Sequence, residues 1–380
     1  MLSLGVRELA AAVRVVAKGD LGRYYSRGAS ETDRFEQGLR STLDVRHALA
    51  VNSGTSALIC ALVGAGIGPG DEVLVPAYTW VSTAAAPLAV GAVPVLVEID
   101  ESLTMDPIDI ERKITPYTKA IIPVHMINLV CDMDAIMKVA EAHDLIVIED
   151  ACQAMGLKYR GRRAGSIGNS GVFSFNQHKN IKSGEGGAIV TNDDRTFARA
   201  AMYHDVGHYE RKDQFVTDEP IFVGQNFRMP ELSAAILRPQ LKRLDKQLAR
   251  RRERREFLID ELSESRRGGF TISPHHDPAE AAGLALLFDD PQEAKAFGDI
   301  KGARRLIDTG RHVYTNWQSI NARRPVHPLL DPYAWAHRPV EYAPDACPAT
   351  LDILSRSCTV ELAPELPMPA FRAATRAMRA

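Results

Sequence analysis

The chain has 380 residues, too many for one ordinary core and suited to two domains. Its composition, 45% hydrophobic and 25% charged, is that of a globular protein, and a formal net charge of -2 lacks the basic excess of a nucleic-acid binder. No apolar run is long enough to span a bilayer, and Arg7, Glu8 and Arg14 interrupt the N-terminal helical pattern where a signal peptide needs an unbroken apolar core.

Five cysteines occur, Cys60, Cys131, Cys152, Cys347 and Cys358, with no Cys-x-x-Cys pair. An odd count without such a pair argues against a disulfide frame or a zinc site. It suits a reducing compartment, so a cytoplasmic location is expected.

From about residue 50 to 195, short β-branched runs alternate with helix-like stretches. The runs are Glu72–Pro76, Val93–Ile99, Ala120–Val124, Leu145–Glu149, Gly171–Phe175 and Ala188–Thr191; Thr55–Val63 and Met133–His143 are two of the helices. This order predicts an α/β fold with a mainly parallel sheet flanked by helices, whose ligands sit at the carboxyl ends of the strands. A long helix is predicted from about residue 231 to 264. Its basic stretch Arg243 to Arg255 reads as the solvated face of a packed helix, because Leu237, Leu241, Leu244 and Leu248 recur at helical spacing. The helix joins a large domain (1–245, with an N-terminal arm) to a smaller C-terminal α/β domain (246–380). That domain opens after the break Gly268–Pro278 with a strand at Gly283–Phe288 and a helix at Asp290-Pro291. Residues 316–348 read as loop.

Four motifs bear on chemistry. Ser53-Gly54-Thr55-Ser56 opens a helix. It is either an anion site, where free N–H groups meet the positive end of the dipole, or an ordinary N-cap. Glu149-Asp150 ends an apolar strand. A carboxylate there needs a cationic partner such as a protonated pyridine, unless it only caps the next segment. Lys179 follows the run ending at Phe175 and precedes Gly184-Glu185-Gly186-Gly187. A lysine at a strand mouth can form a Schiff base with an aldehyde cofactor; the competing reading is a snorkelling surface lysine, which suits Lys182. His204 and His208 have the i, i+4 spacing of metal ligands but suggest no third ligand, so both are read as structural. The glycine-rich Gly64–Gly70 follows a helix and precedes a strand, the wrong order for a dinucleotide site; it reads as a helix stop.

Taken in order, these pieces resemble the DegT/StrS-type nucleotide-sugar and cyclitol aminotransferases. The match runs from about Tyr24 to Leu262 and rests on Asn52–Leu58, Val75–Trp80, Glu149–Ala154, Phe173–Gly187 and Asn226–Met229. The resemblance implies a fold-type-I pyridoxal phosphate transferase. Lys179 would carry the cofactor as a Schiff base and later shuttle a proton. Asp150 would pair with the pyridine nitrogen, Trp80 would stack on the ring, and Gln153 would bond its hydroxyl. Gly54, Thr55 and Ser174 would bind the phosphate. Asn226 would reach the phosphate of the neighbouring subunit, making a homodimer with its active site at the interface.

The reaction implied takes an amino group from L-glutamate or L-glutamine to a keto sugar or cyclitol, in antibiotic or polysaccharide biosynthesis. The alternative is a dehydrating or aromatising synthase of the aminohydroxybenzoate-synthase type. Sugar 3-dehydratases carry histidine where this chain has Lys179. Three departures are expected to touch the substrate side and spare the cofactor side: Met126–Cys131, His178, and the chain beyond about residue 265, including Cys347-Pro348-Ala349-Thr350. Tyr24, Tyr25, Arg27 and residues 313–335 are candidates for the acceptor side.

Overall fold

The structure is a computed structural model that describes residues 4–25, 28–207, 218–264 and 269–378. Two helices lead in, α1 (Val6–Lys18) and α2 (Glu31–Leu43). A seven-stranded sheet follows, interleaved with helices: β1 (His47–Val51), α3 (Gly54–Ala65), β2 (Glu72–Pro76), α4 (Ser82–Ala89), β3 (Val93–Val97), α5 (Pro107–Lys113), β4 (Thr118–Ile121), α6 (Met133–Ala142) and β5 (Ile146–Asp150). A two-residue ribbon, β6 (Lys158–Tyr159) and β7 (Arg162–Arg163), precedes β8 (Ser170–Ser174), β9 (Gly187–Thr191) and α7 (Asp194–His204).

The strand order is β1-β9-β8-β5-β4-β2-β3. Every pair from β8 to β3 is parallel; only β9 runs against its neighbours. The reason lies in the connection. No helix crosses over between β8 and β9, so the chain turns straight back and must pair antiparallel. The loop that makes this turn holds Lys179.

The strands expected from β-branched runs are all present within a few residues. β1 was not anticipated, because His47-Ala48-Leu49-Ala50-Val51 carries little β-branched signal. Pairing along β9 makes it a strand. The predicted continuous helix over 231–264 is instead two, α8 (Glu231–Leu241) and α9 (Leu244–Ser263). Pro239 is the cause: it cannot donate to the carbonyl one turn back, and the next turn tightens, with Arg243 N–H bonding Gln240 O at 2.9 Å. The four leucines at helical spacing, Leu237, Leu241, Leu244 and Leu248, are buried as expected.

The C-terminal part carries a second, antiparallel sheet. Its strands are β10 (Phe270–Ile272), β11 (Ala285–Phe288), β12 (Ala303–Arg305) and β13 (Ser357–Val360), in the order β10-β11-β13-β12. α10 (Pro291–Gly298), capped by Asp290, covers it. Leu258 and Leu262 of α9 join Leu286, Phe288, Phe297 and Phe371 in its core. The segment between β12 and β13 belongs elsewhere: Tyr314, Trp317, Val340, Tyr342 and Cys347 are buried in the core of the large sheet. There, Tyr342 Oη donates to Pro94 O at 2.8 Å. Within it, α11 (Gln318–Asn321) and α12 (Pro332–Trp335) are single turns. After it, α13 (Pro348–Ser355) and α14 (Met368–Ala374) flank β13. Thr350 is bound to β3's exit, its N–H donating to Glu98 Oε2 at 2.7 Å, so the Cys347–Thr350 motif is a packing joint and lies outside the cleft described next.

Candidate active site

The carboxyl ends of β2, β4, β5 and β8 open into a cleft of about 940 Å³. Seven residues singled out from sequence line it: Gly54, Thr55, Trp80, Asp150, Gln153, Ser174 and Lys179. Asn226 does not. It is exposed, and its Oδ1 accepts from Arg228 N–H at 3.3 Å and Arg228 Nε at 3.1 Å.

The anion end is built on α3. Ser53 is the N-cap, its Oγ accepting from Ser56 N–H at 3.1 Å. The cap reading is thus observed, and it does not exclude the other. The cap closes one turn, and the N–H groups of Gly54 and Thr55, which have no acceptor within a helix, stay open to a ligand. A side chain at position 54 would stand 2.8 Å from Ser174 Cβ and 3.1 Å from Cys152 Sγ, so only glycine keeps this cradle open. Gly187 plays the matching part behind it: a Cβ there would meet Ser53 O at 2.3 Å. The Thr55 hydroxyl donates to Ser82 Oγ at 2.8 Å, leaving its oxygen lone pairs and the nearby Ser174 hydroxyl toward the cleft.

Asp150 forms the floor and is 4% exposed. Its Oδ2 accepts from Thr83 Oγ1 at 2.9 Å and its Oδ1 from Cys152 N–H at 3.1 Å. Among the described residues no cationic side chain lies within ion-pair distance of it. A buried carboxylate with only neutral donors is costly and calls for a cation in the cleft. Its neighbour Glu149 solves the same problem within the fold: fully buried, it accepts from Gly165, Ile167 and Gly168 N–H groups and from His125 Nε2. Cys152 lies beside Asp150, and burial together with that carboxylate pushes its thiol well above the ordinary range, so it stays neutral.

Lys179 sits half-buried in the β8–β9 turn, which is pinned by Phe175 N–H to Gly186 O (2.8 Å) and Lys179 N–H to Asn176 O (3.0 Å). Trp80 stands at the mouth. Its indole is flanked by His312, at 5.1 Å between ring centroids, and by the Arg311 guanidinium, 5.2 Å from the ring centre.

The opposite wall was not marked by the sequence. It includes Arg251, Arg304, His312, Thr359 and Glu361. His312 arrives because residues 311–314 lie along residues 77–81, with Thr79 N–H bonded to His312 O (2.9 Å) and Tyr314 N–H to Ala77 O (3.0 Å). Its Nδ1–H donates to Thr309 O at 3.1 Å. Burial, and then the nearby Lys179 and Arg304 charges, hold its pKa below the usual histidine value, so its Nε2 is a free acceptor near neutrality. The expected acceptor residues Tyr24, Tyr25 and 313–335 do not line this cleft, and Arg27 lies outside the described residues. His204 is buried and bonded to Tyr24 Oη at 3.1 Å; His208 lies outside the described residues.

The sites described fit pyridoxal phosphate part by part: open N–H groups and a hydroxyl for the phosphate, a carboxylate awaiting a pyridinium, an indole for the ring face, and an amine. Fold and site together define a fold-type-I pyridoxal phosphate transferase, and 3-amino-5-hydroxybenzoic acid synthase superposes on the chain with a TM-score of 0.82 at 28% identity, over 99% of this chain and 96% of that one. The chain belongs to the DegT/DnrJ/EryC1/StrS aminotransferase family, whose profile matches residues 6–367. It is 43% identical over 242 residues to GDP-perosamine synthase of Caulobacter vibrioides, covering 63% of this chain and 64% of that protein. It is 39% identical over 309 residues to L-glutamine:2-deoxy-scyllo-inosose aminotransferase of Micromonospora echinospora, covering 78% and 72%. The match to the first thus spans slightly under two thirds of that relative's length.

Proposed function

We propose that the chain is an aminotransferase that moves an amino group from L-glutamate or L-glutamine to a keto group of a sugar, nucleotide sugar or cyclitol, in the making of an antibiotic or polysaccharide. The observation that carries this reading is the buried Asp150, without an ion partner among the described residues, on the floor of the cleft that also holds Lys179. The chain's similarity to GDP-perosamine synthase and to L-glutamine:2-deoxy-scyllo-inosose aminotransferase supports the same reading.

When bound, pyridoxal phosphate supplies an electron sink conjugated to the amino-bearing carbon. The chain supplies the rest. Gly54 and Thr55 N–H groups and the Ser174 hydroxyl bind the phosphate, aided by the α3 dipole. Asp150 would keep a proton on the pyridine nitrogen, and Gln153 would bond the ring hydroxyl. Trp80 covers a ring face and excludes water from it. Lys179 Nζ would hold the cofactor and serve as the base for the proton that the substrate carbon gives up. His312 and Arg304 face the substrate from the opposite wall.

The reading includes a homodimer in which Asn226 serves the neighbouring site; its exposure outside its own chain's cleft supports that role. It also includes the division at 245/246, with residues 314–347 packed back on the large sheet, and a cytoplasmic location. The five free thiols support that location, and among the described residues no helix is long and apolar enough to cross a membrane. A second reading, aromatisation, is favoured by the superposition on 3-amino-5-hydroxybenzoic acid synthase and by 39% identity over 240 residues to that enzyme from Amycolatopsis mediterranei.

The test is the absorption spectrum of the purified protein loaded with pyridoxal phosphate, before and after L-glutamate or L-glutamine. A visible band that bleaches to the near ultraviolet is expected. A band unmoved by either donor would overturn the transamination. A product with an aromatic ultraviolet band would favour the second reading over the first.

A further inference from the structure

The segment after β4 departs from the family pattern and was expected to face the substrate. Ile127 and Asn128 line the cleft, and both are bonded to Gln153. Ile127 (φ 44, ψ 39) and Asn128 (φ 62) form two consecutive left-handed residues. That conformation is tolerable for asparagine and costly for β-branched isoleucine, so the surroundings must hold it in place.

They do so through four hydrogen bonds and one close backbone approach. Ile127 N–H donates to Gln153 Oε1 at 3.2 Å, and Asn128 N–H donates to Gln153 O at 3.2 Å. Asn128 Oδ1 accepts from Asn180 Nδ2 at 2.7 Å, and the same Nδ2 reaches Met155 O at 3.1 Å. The entry to β11 rests on the corner as well: Ala282 N–H approaches Asn128 O at 3.4 Å, and a Cβ on Gly283 would meet Ile127 O at 2.0 Å.

Two consequences follow. A backbone N–H can only donate, so it takes the oxygen of the Gln153 amide and leaves the Nε2 donors for the cleft. Asn180 is the residue next to Lys179, so fastening its Nδ2 to two acceptors restrains the backbone from which the lysine projects. We propose that Asn128 is a positioning residue of the cofactor site. Its left-handed corner sets which end of Gln153 faces the cofactor, and its side chain, through Asn180, sets where Lys179 stands. The inference rests on the reading of Lys179 and Gln153 given above.

The test uses the full chain loaded with pyridoxal phosphate. Asn128→Gly keeps the left-handed backbone and deletes the amide; Asn128→Asp keeps the acceptor; Asn180→Ala deletes the donor. Visible circular dichroism per bound cofactor reports how firmly the ring is held, which a loss of overall stability alone does not change. Asn128→Gly and Asn180→Ala are each expected to lower this signal and to weaken cofactor retention about three- to tenfold, the effect of one ordinary hydrogen bond. The double variant should be no worse than either single one. Asn128→Asp should keep the wild-type signal. Wild-type signal and retention in Asn128→Gly would overturn the inference; if that variant does not fold, the same result in Asn180→Ala, whose corner is intact, overturns it. A wild-type chain that forms no visible band would instead overturn the parent reading.

Discussion

The two walls of the cleft are built in opposite ways. The cofactor wall comes from strand exits between residues 53 and 187, and each functional residue sits in a short contiguous motif. The opposite wall takes Arg251 from a helix, Arg304 and Thr359 from adjacent strands of the small sheet, and His312 from a stretch laid against residues 77–81. On the proposed function the first wall would bind a fixed ligand whose parts have fixed chemistry, so it repeats recognisable pieces. The second would meet the variable partner, and its residues are joined only by tertiary contact.

That contrast can be broken experimentally, and the largest effect belongs to the cofactor wall. Lys179→Ala is expected to cut turnover by about 10³-fold or more and leave no borohydride-reducible link to the cofactor. A surviving link would move the anchor elsewhere. Asp150→Asn, which keeps shape and loses charge, should slow turnover by about 10²- to 10³-fold while retaining cofactor, read as rate per bound pyridoxal phosphate. Near-normal rates would mean the buried carboxylate has another partner.

A smaller effect is expected across the cleft. His312→Ala or Arg304→Ala should raise the KM of a substrate about tenfold with cofactor content unchanged. Loss of cofactor in either variant would show that the two walls are not separate in function. The remaining effect concerns stability and leaves both walls untouched. Burial holds His204 at a pKa of about 3, with the Arg23 charge acting in the same sense. Between the ordinary histidine value and about 3 the unfolded chain binds a proton that the folded one does not, so stability falls as pH falls through that window. His204→Gln should flatten this dependence relative to wild type, by at most about 1.4 kcal/mol per pH unit, in denaturant titrations from pH 7 to 4. Parallel curves would show that His204 does not contribute.

Much of the cofactor wall was legible beforehand because strand ends and helix caps are local events. Gly54 opens a helix, Asp150 ends β5 and Lys179 lies in the loop after β8, where periodicity changes and polar residues interrupt apolar runs. Thr83, which supports Asp150, gave no such signal; it is one hydroxyl in a short helix, and only its bond to Oδ2 distinguishes it. The Met126–Cys131 departure was visible, but its direction was not, since a left-handed corner with no glycine cannot be read from side-chain types.

By itself the sequence determined the alternation of strands and helices, the strand-end placement of Asp150 and Lys179, and the capped helix at Ser53, because these follow from period, capping and burial along a few consecutive residues. Tertiary structure alone decided that β1 is a strand, that β9 reverses, and that Pro239 splits a helix its leucines favour. It alone also brought His312 to Trp80 and Asn128 to Asn180. Each of those outcomes depends on partners distant in the chain, whose approach is set by packing and hydrogen-bond satisfaction that no local pattern encodes.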